Sequence, residues 1–364
     1  MRYLITGGGT GGHIYPALTI AEALKKLDPE AELLYVGTST GREGELVPRA
    51  GLPFAAISSA GLVGMGLAGK VKGALRTAGG LFQAMAEIRR FKPDLVIGTG
   101  GYVSGPVLMA ARLLGRPCVI QEQNAFPGVT NRLASSWAKA VFVPYEEAKR
   151  IFPASAPIEI VGNPVRREVA AAAREAGRSA FGVGPNEKLL LIVGGSGGAK
   201  VLNEWAVEAL KLRPLPGVKI LHVTGPRYFE AVKKAWGGAP SGVQIEPYLH
   251  NMPEALAAAD LGLFRSGALT LAEVQVRQLP SVLIPSPNVT HNHQEWNARV
   301  LEERGGALVI RETESPAALR TAVERLLADG DLRARMQRAL GELAQADAAA
   351  RIAARCMTIA RTGR

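Results

Sequence analysis

Cysteine is nearly absent: the 364 residues carry two, Cys118 and Cys356, too few for a disulfide framework and in no metal-ligand or redox spacing. A reducing cytoplasm fits that count. Aromatic residues make up 5% of the chain, and no stacking platform for nucleic acid is evident. No apolar run approaches the length of a membrane span. The start, MRYLITGGG, has neither the charged lead nor the apolar core of a signal peptide and runs straight into a strand pattern. What the chain does have is 47% apolar residues, 42 glycines, 23 prolines and a formal net charge of +11. That composition describes a globular protein with many tight loops, long enough for two cores. Its charge asks for an anionic partner: nucleic acid, an anionic substrate or an anionic membrane surface.

The stretch with the most chemical content is Gly7-Gly8-Gly9-Thr10-Gly11-Gly12-His13, between the apolar run Tyr3-Leu4-Ile5 and a segment of helical spacing, Ile14 to Lys25. Residues without a Cβ let backbone N–H groups approach a ligand, and the helix start behind them adds partial positive charge. Phosphate or a sugar hydroxyl is the expected guest. Gly7, Gly9 and Gly12 also satisfy G-x-G-x-x-G, the dinucleotide fingerprint. That fingerprint wants an acidic residue at the end of the second strand, whereas Glu32 to Val36 runs into Gly37-Thr38-Ser39. His13, closing the loop, suggests a reacting hydroxyl; a capping or packing role is the alternative.

Short β-branched or leucine-rich runs alternate with helix-length segments along the chain, the pattern of parallel α/β layers with ligands at strand C-termini. After Leu95-Val96-Ile97 comes a second glycine-rich loop, Gly98 to Pro106, and after Val119-Ile120 come Gln121-Glu122-Gln123-Asn124 and the turn Pro127-Gly128. Tyr102, Glu122, Asn124 and Asn131 are therefore expected to converge with His13. Between the second and third strands, residues 62–92 open with a glycine-rich loop. They then set Val71, Leu75, Ala78, Phe82, Met85 and Ile88 at helical spacing among Lys70, Lys72, Arg76, Arg89, Arg90 and Lys92. Two readings stand: a helix packing its apolar face on the sheet, or a basic, apolar surface for anionic lipid headgroups.

Ile160-Val161-Gly162-Asn163-Pro164 reads as a strand entering a turn where the first half has used its strands, and the domain boundary is placed there. A second cycle opens with 189–193 and the loop Gly194-Gly195-Ser196-Gly197-Gly198-Ala199-Lys200, in which Lys200 lacks the flanking residues of a P-loop. Further strands are expected at 219–223, 243–246, 260–264 and 282–285. The run from Arg265 through Ser266 and Gly267 to Glu273 places Ser266 as the N-cap of a helix whose free N–H groups suit a diphosphate. Glu273, two turns in, either accepts from ribose hydroxyls or is a solvated helix carboxylate. His291 and His293 form one H-x-H pair without a third ligand, so no metal site is expected. Asp329-Gly330-Asp331 reads as a helix cap.

In order, GGGTGGHIYPALTIAEAL, GTGGYVSGP, QEQNAFPGVTNR, GNPVR, GGSGGA, RSGALTLAE and HQEWNA resemble the motifs of the MurG family of nucleotide-sugar glycosyltransferases, over essentially the whole chain. The resemblance implies an α/β fold of GT-B architecture, two Rossmann-like domains with parallel sheets facing across a cleft. Residues 1–163 would bind acceptor and membrane, 164–340 the donor, and a helix in 341–364 would pack back towards the first domain. The implied activity is inverting transfer of N-acetylglucosamine from UDP-GlcNAc to the C4 hydroxyl of MurNAc-pentapeptide in undecaprenyl-pyrophosphoryl lipid I. The product, lipid II, serves peptidoglycan synthesis; the enzyme would work peripherally at the cytoplasmic face of the cell membrane, with no metal or other cofactor.

The same resemblance implies residue roles. His13 is the candidate base, with Glu122 as its rival. Thr10, Gly11, Gly12 and Asn124 lie by the donor sugar and acceptor, Tyr102 and Asn131 on the acceptor side, and Arg166 and Ser196 at the diphosphate. Leu249 holds the uracil through its backbone. Ala268, Leu269, Thr270, Leu271, Ala272 and Glu273 embrace diphosphate and ribose, and Gln294 reaches the sugar. Leu67, Leu75 and Phe82, with Lys70, Lys72 and Arg76, would meet an anionic membrane. Other cell-wall synthesis and division proteins are implied partners; nucleic acid is not. One departure is His293, which stands where the family often has a second glutamine. Within the same architecture the alternatives are a UDP-GlcNAc 2-epimerase or a transferase with a different lipid acceptor. Outside it, the alternative is a basic nucleic-acid or membrane-binding protein on a degenerate nucleotide fold.

Overall fold

The computed structural model describes residues 1–61, 66–211, 213, 215–238 and 240–363, with only the backbone of Leu67, Ala68, Lys70 and Val71. Two compact units result, Met1–Pro164 with Asp347–Arg364, and Val165–Ala346. Both are parallel α/β.

The first unit runs β1 (Arg2–Thr6), α1 (Gly11–Leu27), β2 (Glu32–Gly37), α2 (Glu43–Arg49), β3 (Phe54–Ala56), α3 (Leu67–Phe91), β4 (Leu95–Gly98), α4 (Ser104–Leu113), β5 (Cys118–Gln121), α5 (Val129–Ala134), β6 (Ala140–Val143), α6 (Glu146–Lys149) and β7 (Ile158–Ile160). Its seven strands lie in the order β3-β2-β1-β4-β5-β6-β7, with Leu4 opposite Leu34 on one side and Val96 on the other. Helices cover both faces, which is why β4, β5 and β6 are buried along their whole length. Ile14, Ile20 and Leu24 of α1 fill one face, and Val107, Leu108 and Ala111 of α4 the other. Cys118 and Cys356 are free and buried, and burial pushes the Cys118 thiol up to about 12, so it packs as a small apolar residue.

The second unit runs α7 (Arg167–Ala171), α8 (Arg174–Ala180), β8 (Lys188–Val193), α9 (Lys200–Lys211), β9 (Val218–Val223), α10 (Phe229–Trp236), β10 (Val243–Glu246), α11 (Met252–Ala258), β11 (Leu261–Phe264), α12 (Ala268–Val276), β12 (Ser281–Leu283), α13 (His293–Glu303), β13 (Ala307–Val309), α14 (Pro316–Ala328) and α15 (Gly330–Leu343). Its strand order is β10-β9-β8-β11-β12-β13, again parallel. Asp329 accepts from Leu332 N at 2.8 Å and caps α15. The chain then returns to the first unit at Asp347 rather than at 341, because Gly341 to Leu343 finish α15, where Gly341 faces the side chain of Gln278. The last helix, α16 (Ala348–Thr362), lays Ile352, Cys356 and Ile359 into the core shared with α1.

Strands β3 and β13 have no counterpart in the sequence reading. Each is three residues long at a sheet edge. Helix α3 mixes the two readings of its stripe. Leu81, Ala84, Met85 and Ile88 pack towards the sheet, while Leu75 and Phe82 are 70% and 71% exposed beside exposed Lys72 and Arg76. A six-residue step from Phe82 to Ile88 on a 3.6-residue helix cannot stay on one face. Residues 62–65 and the side chains of Leu67 and Lys70, also expected on this surface, lie outside the described residues.

In each sheet the strand order reverses beside its first strand, so the loops after β1 and β4 share one switch point and those after β8 and β11 the other. Switch points are where parallel sheets bind ligands.

Candidate active site

At the first switch point, α1 begins at Gly11 with Thr10 as N-cap and no side-chain cap bond, while His13 N and Ile14 N donate to Thr10 O at 3.1 and 3.2 Å. The amides of Gly11 and Gly12 therefore have no intrahelical partner and are available to an anion or hydroxyl. The loop's earlier amides serve the loop itself. Gly8 N donates to Gly100 O at 3.3 Å, Gly9 N to Glu43 Oε2 at 3.2 Å, and Tyr35 donates its hydroxyl to Gly7 O at 2.7 Å. Glu43, fully buried at the start of α2, also accepts from Thr38 N at 3.2 Å and Thr38 Oγ1 at 2.5 Å. Sequence reasoning passed over this carboxylate, whose only trace was an acidic residue soon after β2.

The two glycine loops touch backbone to backbone: at Gly101, with φ of 83°, a Cβ would sit 2.1 Å from Gly8 O. The ring of Tyr102 lies against Gly9, and the His13 ring and Asn131 amide both stand against Gly100. His13 Nδ1 is 2.8 Å from Gln123 Oε1 and 3.1 Å from Thr99 O. The expected convergence of Tyr102, Asn131 and the loop after β5 on His13 is thus what the topology produces.

Glu122, the rival candidate for the base, sits at the centre of a hydrogen-bonded loop. It is 1% exposed; Oε1 accepts from Gln123 N, Asn124 N and Asn124 Nδ2, and Oε2 from Gly128 N and Asn131 Nδ2, all between 2.8 and 3.1 Å. Five N–H donors leave its lone pairs committed to the loop. It holds Asn124 and Asn131 in place.

At the second switch point, α12 starts at Ala268 with Gly267 as N-cap. Ser266, expected in that role, lies one residue short, in the segment between the end of β11 at Phe264 and the start of α12, and its hydroxyl is buried with no hydrogen-bond partner among the described residues. The first amides of α12, at Ala268 to Thr270, have no intrahelical acceptor. Glu273 Oε1 accepts from Arg166 Nη2 at 3.1 Å. Burial holds the Glu273 carboxyl above its ordinary range, and Arg166 beside it pulls the other way. Between the loops after β8 and β11 lies a cavity of about 280 Å³ lined by Gly194, Gly198, Lys200, Arg265, Gln294 and Glu312. Gln294 Oε1 accepts from Ser286 N at 2.9 Å, and Arg265 pairs with Glu312 at 2.5 Å. Leu249 is buried and Ser196 exposed. Among the described residues no group of three His, Cys, Asp or Glu could hold a metal ion.

Residues 3–143 match the glycosyltransferase family 28 N-terminal domain, and 189–352 match the glycosyltransferase family 28 C-terminal domain. The chain belongs to glycosyltransferase family 28. A relative from Symbiobacterium thermophilum is 62% identical over all of this chain and 98% of its own length, and one from Moorella thermoacetica 47% identical over 86% of each. Both are named UDP-N-acetylglucosamine–N-acetylmuramyl-(pentapeptide) pyrophosphoryl-undecaprenol N-acetylglucosamine transferase. The crystal structure of Acinetobacter baumannii MurG superposes with a TM-score of 0.80 at 32% identity, covering 98% of this chain and 99% of that one. A UDP-GlcNAc 2-epimerase from Neisseria meningitidis shares the fold at a TM-score of 0.70 but only 14% identity, over 98% of this chain and all of its own. The likeness to MurG read from the motifs therefore holds across both family 28 domains, and the enzyme is a glycosyltransferase of GT-B fold.

Proposed function

We propose that this family 28 enzyme transfers N-acetylglucosamine from UDP-GlcNAc to the C4 hydroxyl of the muramyl sugar of lipid I, forming lipid II with inversion at the anomeric carbon. The observation that carries the chemistry is His13, a titratable ring set at the switch point of the first sheet beside the open amides of Gly11 and Gly12. In this mechanism the ring takes the hydroxyl proton as the oxygen bonds to C1, and the C1–O bond to the diphosphate breaks with its electron pair leaving on UDP. The departing charge is met by the helix start at Ala268 and by Arg166, with Glu273 on the ribose, Leu249 at the uracil and Gln294 at the sugar. These groups supply the stabilisation without a metal.

The acceptor's lipid tail requires work at a bilayer surface. No helix among the described residues is long and apolar enough to cross a membrane. Exposed Leu75 and Phe82, ringed by Lys72 and Arg76, suit a peripheral mode on anionic lipid at the cytoplasmic face. The test is transfer of radiolabelled sugar from UDP-GlcNAc to a lipid I analogue, with chelator present and Glu273→Ala as control. Transfer that survives chelator and fails in the variant supports the proposal; epimerisation of UDP-GlcNAc without transfer refutes it.

A further inference from the structure

We propose that Gln123 is a positioning residue that keeps the His13 proton on Nδ1 and so leaves Nε2 to take the proton of the acceptor hydroxyl. This rests on the base role given to His13 above. The orientation of the Gln123 amide follows from its surroundings. Its Nε2 donates to Thr99 O at 2.8 Å, Gln121 O at 3.0 Å and Gln121 Oε1 at 2.5 Å. Main-chain carbonyls only accept, so the NH₂ end is fixed there and Oε1 is the end that faces His13. Nδ1 then has two acceptors before it, Gln123 Oε1 at 2.8 Å and Thr99 O at 3.1 Å, and must carry the hydrogen. Among the described residues no hydrogen bond engages Nε2.

The amide is itself held by a buried chain. Gln121 Nε2 donates to Glu122 O at 2.9 Å and Asn163 Oδ1 at 3.0 Å, and Asn163 Nδ2 donates to Gln123 O at 2.9 Å. Each of the three amides has a main-chain carbonyl on its NH₂ end, so none can turn over alone. Gln121, Gln123 and Asn163 are 0%, 1% and 4% exposed, and a buried polar network of this kind stabilises one arrangement sharply. As Nε2 takes the hydroxyl proton, the positive charge spreads to Nδ1–H, where the same two oxygens stabilise it. The charged groups of the surrounding elements are otherwise engaged, Glu122 with five N–H donors and Glu43 with Gly9 and Thr38. The oxygen on Nδ1 is thus that of a neutral amide.

The experiment is ¹⁵N NMR of histidine-labelled enzyme at pH 8, with the His13 ring assigned by its loss in His13→Asn. A protonated Nδ1 and an unprotonated Nε2 are expected, and the opposite tautomer overturns the proposal. In Gln123→Leu the Nε2–H tautomer should become comparably populated and kcat should fall about tenfold, as for one charge-stabilising hydrogen bond, with the donor KM within twofold. Gln123→Glu should restore the tautomer and move the acid limb of the kcat profile to higher pH, because a carboxylate favours the imidazolium. A Gln123→Leu enzyme with the wild-type tautomer overturns the proposal whatever its kcat. If Nδ1 carries the proton but no sugar is transferred to the lipid I analogue, the positioning role stands and the assigned activity falls.

Discussion

Arg166 Nη2 stands 3.1 Å from Glu273 Oε1, and these two residues, 107 positions apart in sequence, are the ones expected at the diphosphate and the ribose. The guanidinium is the partner that lets a carboxylate sit in this mostly buried place. Without it, the charge would have no compensation and the carboxyl would hold its proton instead.

That dependence has a sign. The folded-state pKa of Glu273 is raised, so the folded chain binds more protons than the unfolded one, and stability falls as pH rises through the ordinary value of 4.5 towards the folded one. Removing Arg166 lifts the folded value further. Arg166→Met should cost about 1–2 kcal/mol at pH 8, a figure reduced for the partial exposure of the guanidinium, and clearly less at pH 4.5. Urea unfolding at the two pH values reads the difference, and the Glu273→Gln background should abolish it. Equal losses at both pH values would mean that solvent already screens the pair.

Glu122 separates a structural carboxylate from a catalytic one. Replacing one oxygen by NH₂ in Glu122→Gln sets a donor against N–H donors and unpairs part of a buried cluster, at about 2–4 kcal/mol. The variant should therefore melt several degrees lower and lose turnover together. Lost turnover at an unchanged melting temperature would return Glu122 to candidacy as the base.

This pair of carboxylates also marks where sequence stops being legible. The glycine loops after β1, β4, β8 and β11 were readable because close backbone approach demands glycine, and parallel topology puts such loops at switch points. The interior strands were readable from their doubly buried apolar runs. Phe54-Ala55-Ala56 was not: it is a partly exposed edge with no β-branched residue and no alternation. Ser266 reads as a cap because serine prefers that place, but β11 stops pairing at Phe264 and α12 starts only at Ala268, so Gly267 takes the cap. Glu43 looked like any helix acid, and Glu122 like a possible base. Only the count of N–H groups around them, contributed by segments up to 34 residues away, shows what they hold. Gln123 was hidden for the same reason, lying between two residues of more obvious chemistry.

The exposed side chains of α3 predict a membrane phenotype apart from the chemistry. Leu75→Glu with Phe82→Glu should weaken binding to vesicles containing phosphatidylglycerol by tenfold or more, since each apolar side chain buried contributes about 1.5–3 kcal/mol. Neither residue packs in the core, so the melting temperature and UDP affinity should stay within error. Binding of the wild type should also weaken with added salt, as expected of Lys72 and Arg76 on anionic headgroups. Undiminished vesicle binding by the double variant would place the docking surface elsewhere.

Acid should loosen the second unit through His222. The ring is buried; its Nδ1 accepts from Trp236 Nε1 at 3.1 Å, so its Nε2–H donates to Asn203 Oδ1 at 2.9 Å, and Asn203 Nδ2 donates in turn to Thr224 O at 2.9 Å. Thr224 O lies against Gly198, whose φ of 75° admits no side chain there, so the network ends on the glycine loop that lines the proposed donor cavity. Burial pushes the His222 pKa down to about 3 from an ordinary 6.5. A depressed value means the unfolded chain binds the proton first. The stability is fully present above pH 6.5 and is lost as pH falls towards 3, by about 3–5 kcal/mol in total. Comparing wild type with His222→Gln cancels the other titrating groups, and the variant's curve of unfolding free energy against pH should be the flatter by that amount. UDP affinity of the wild type should weaken over the same range if the Gly198 loop loosens before the unit unfolds. Parallel stability curves for the two proteins would show that the ring accepts its proton in place.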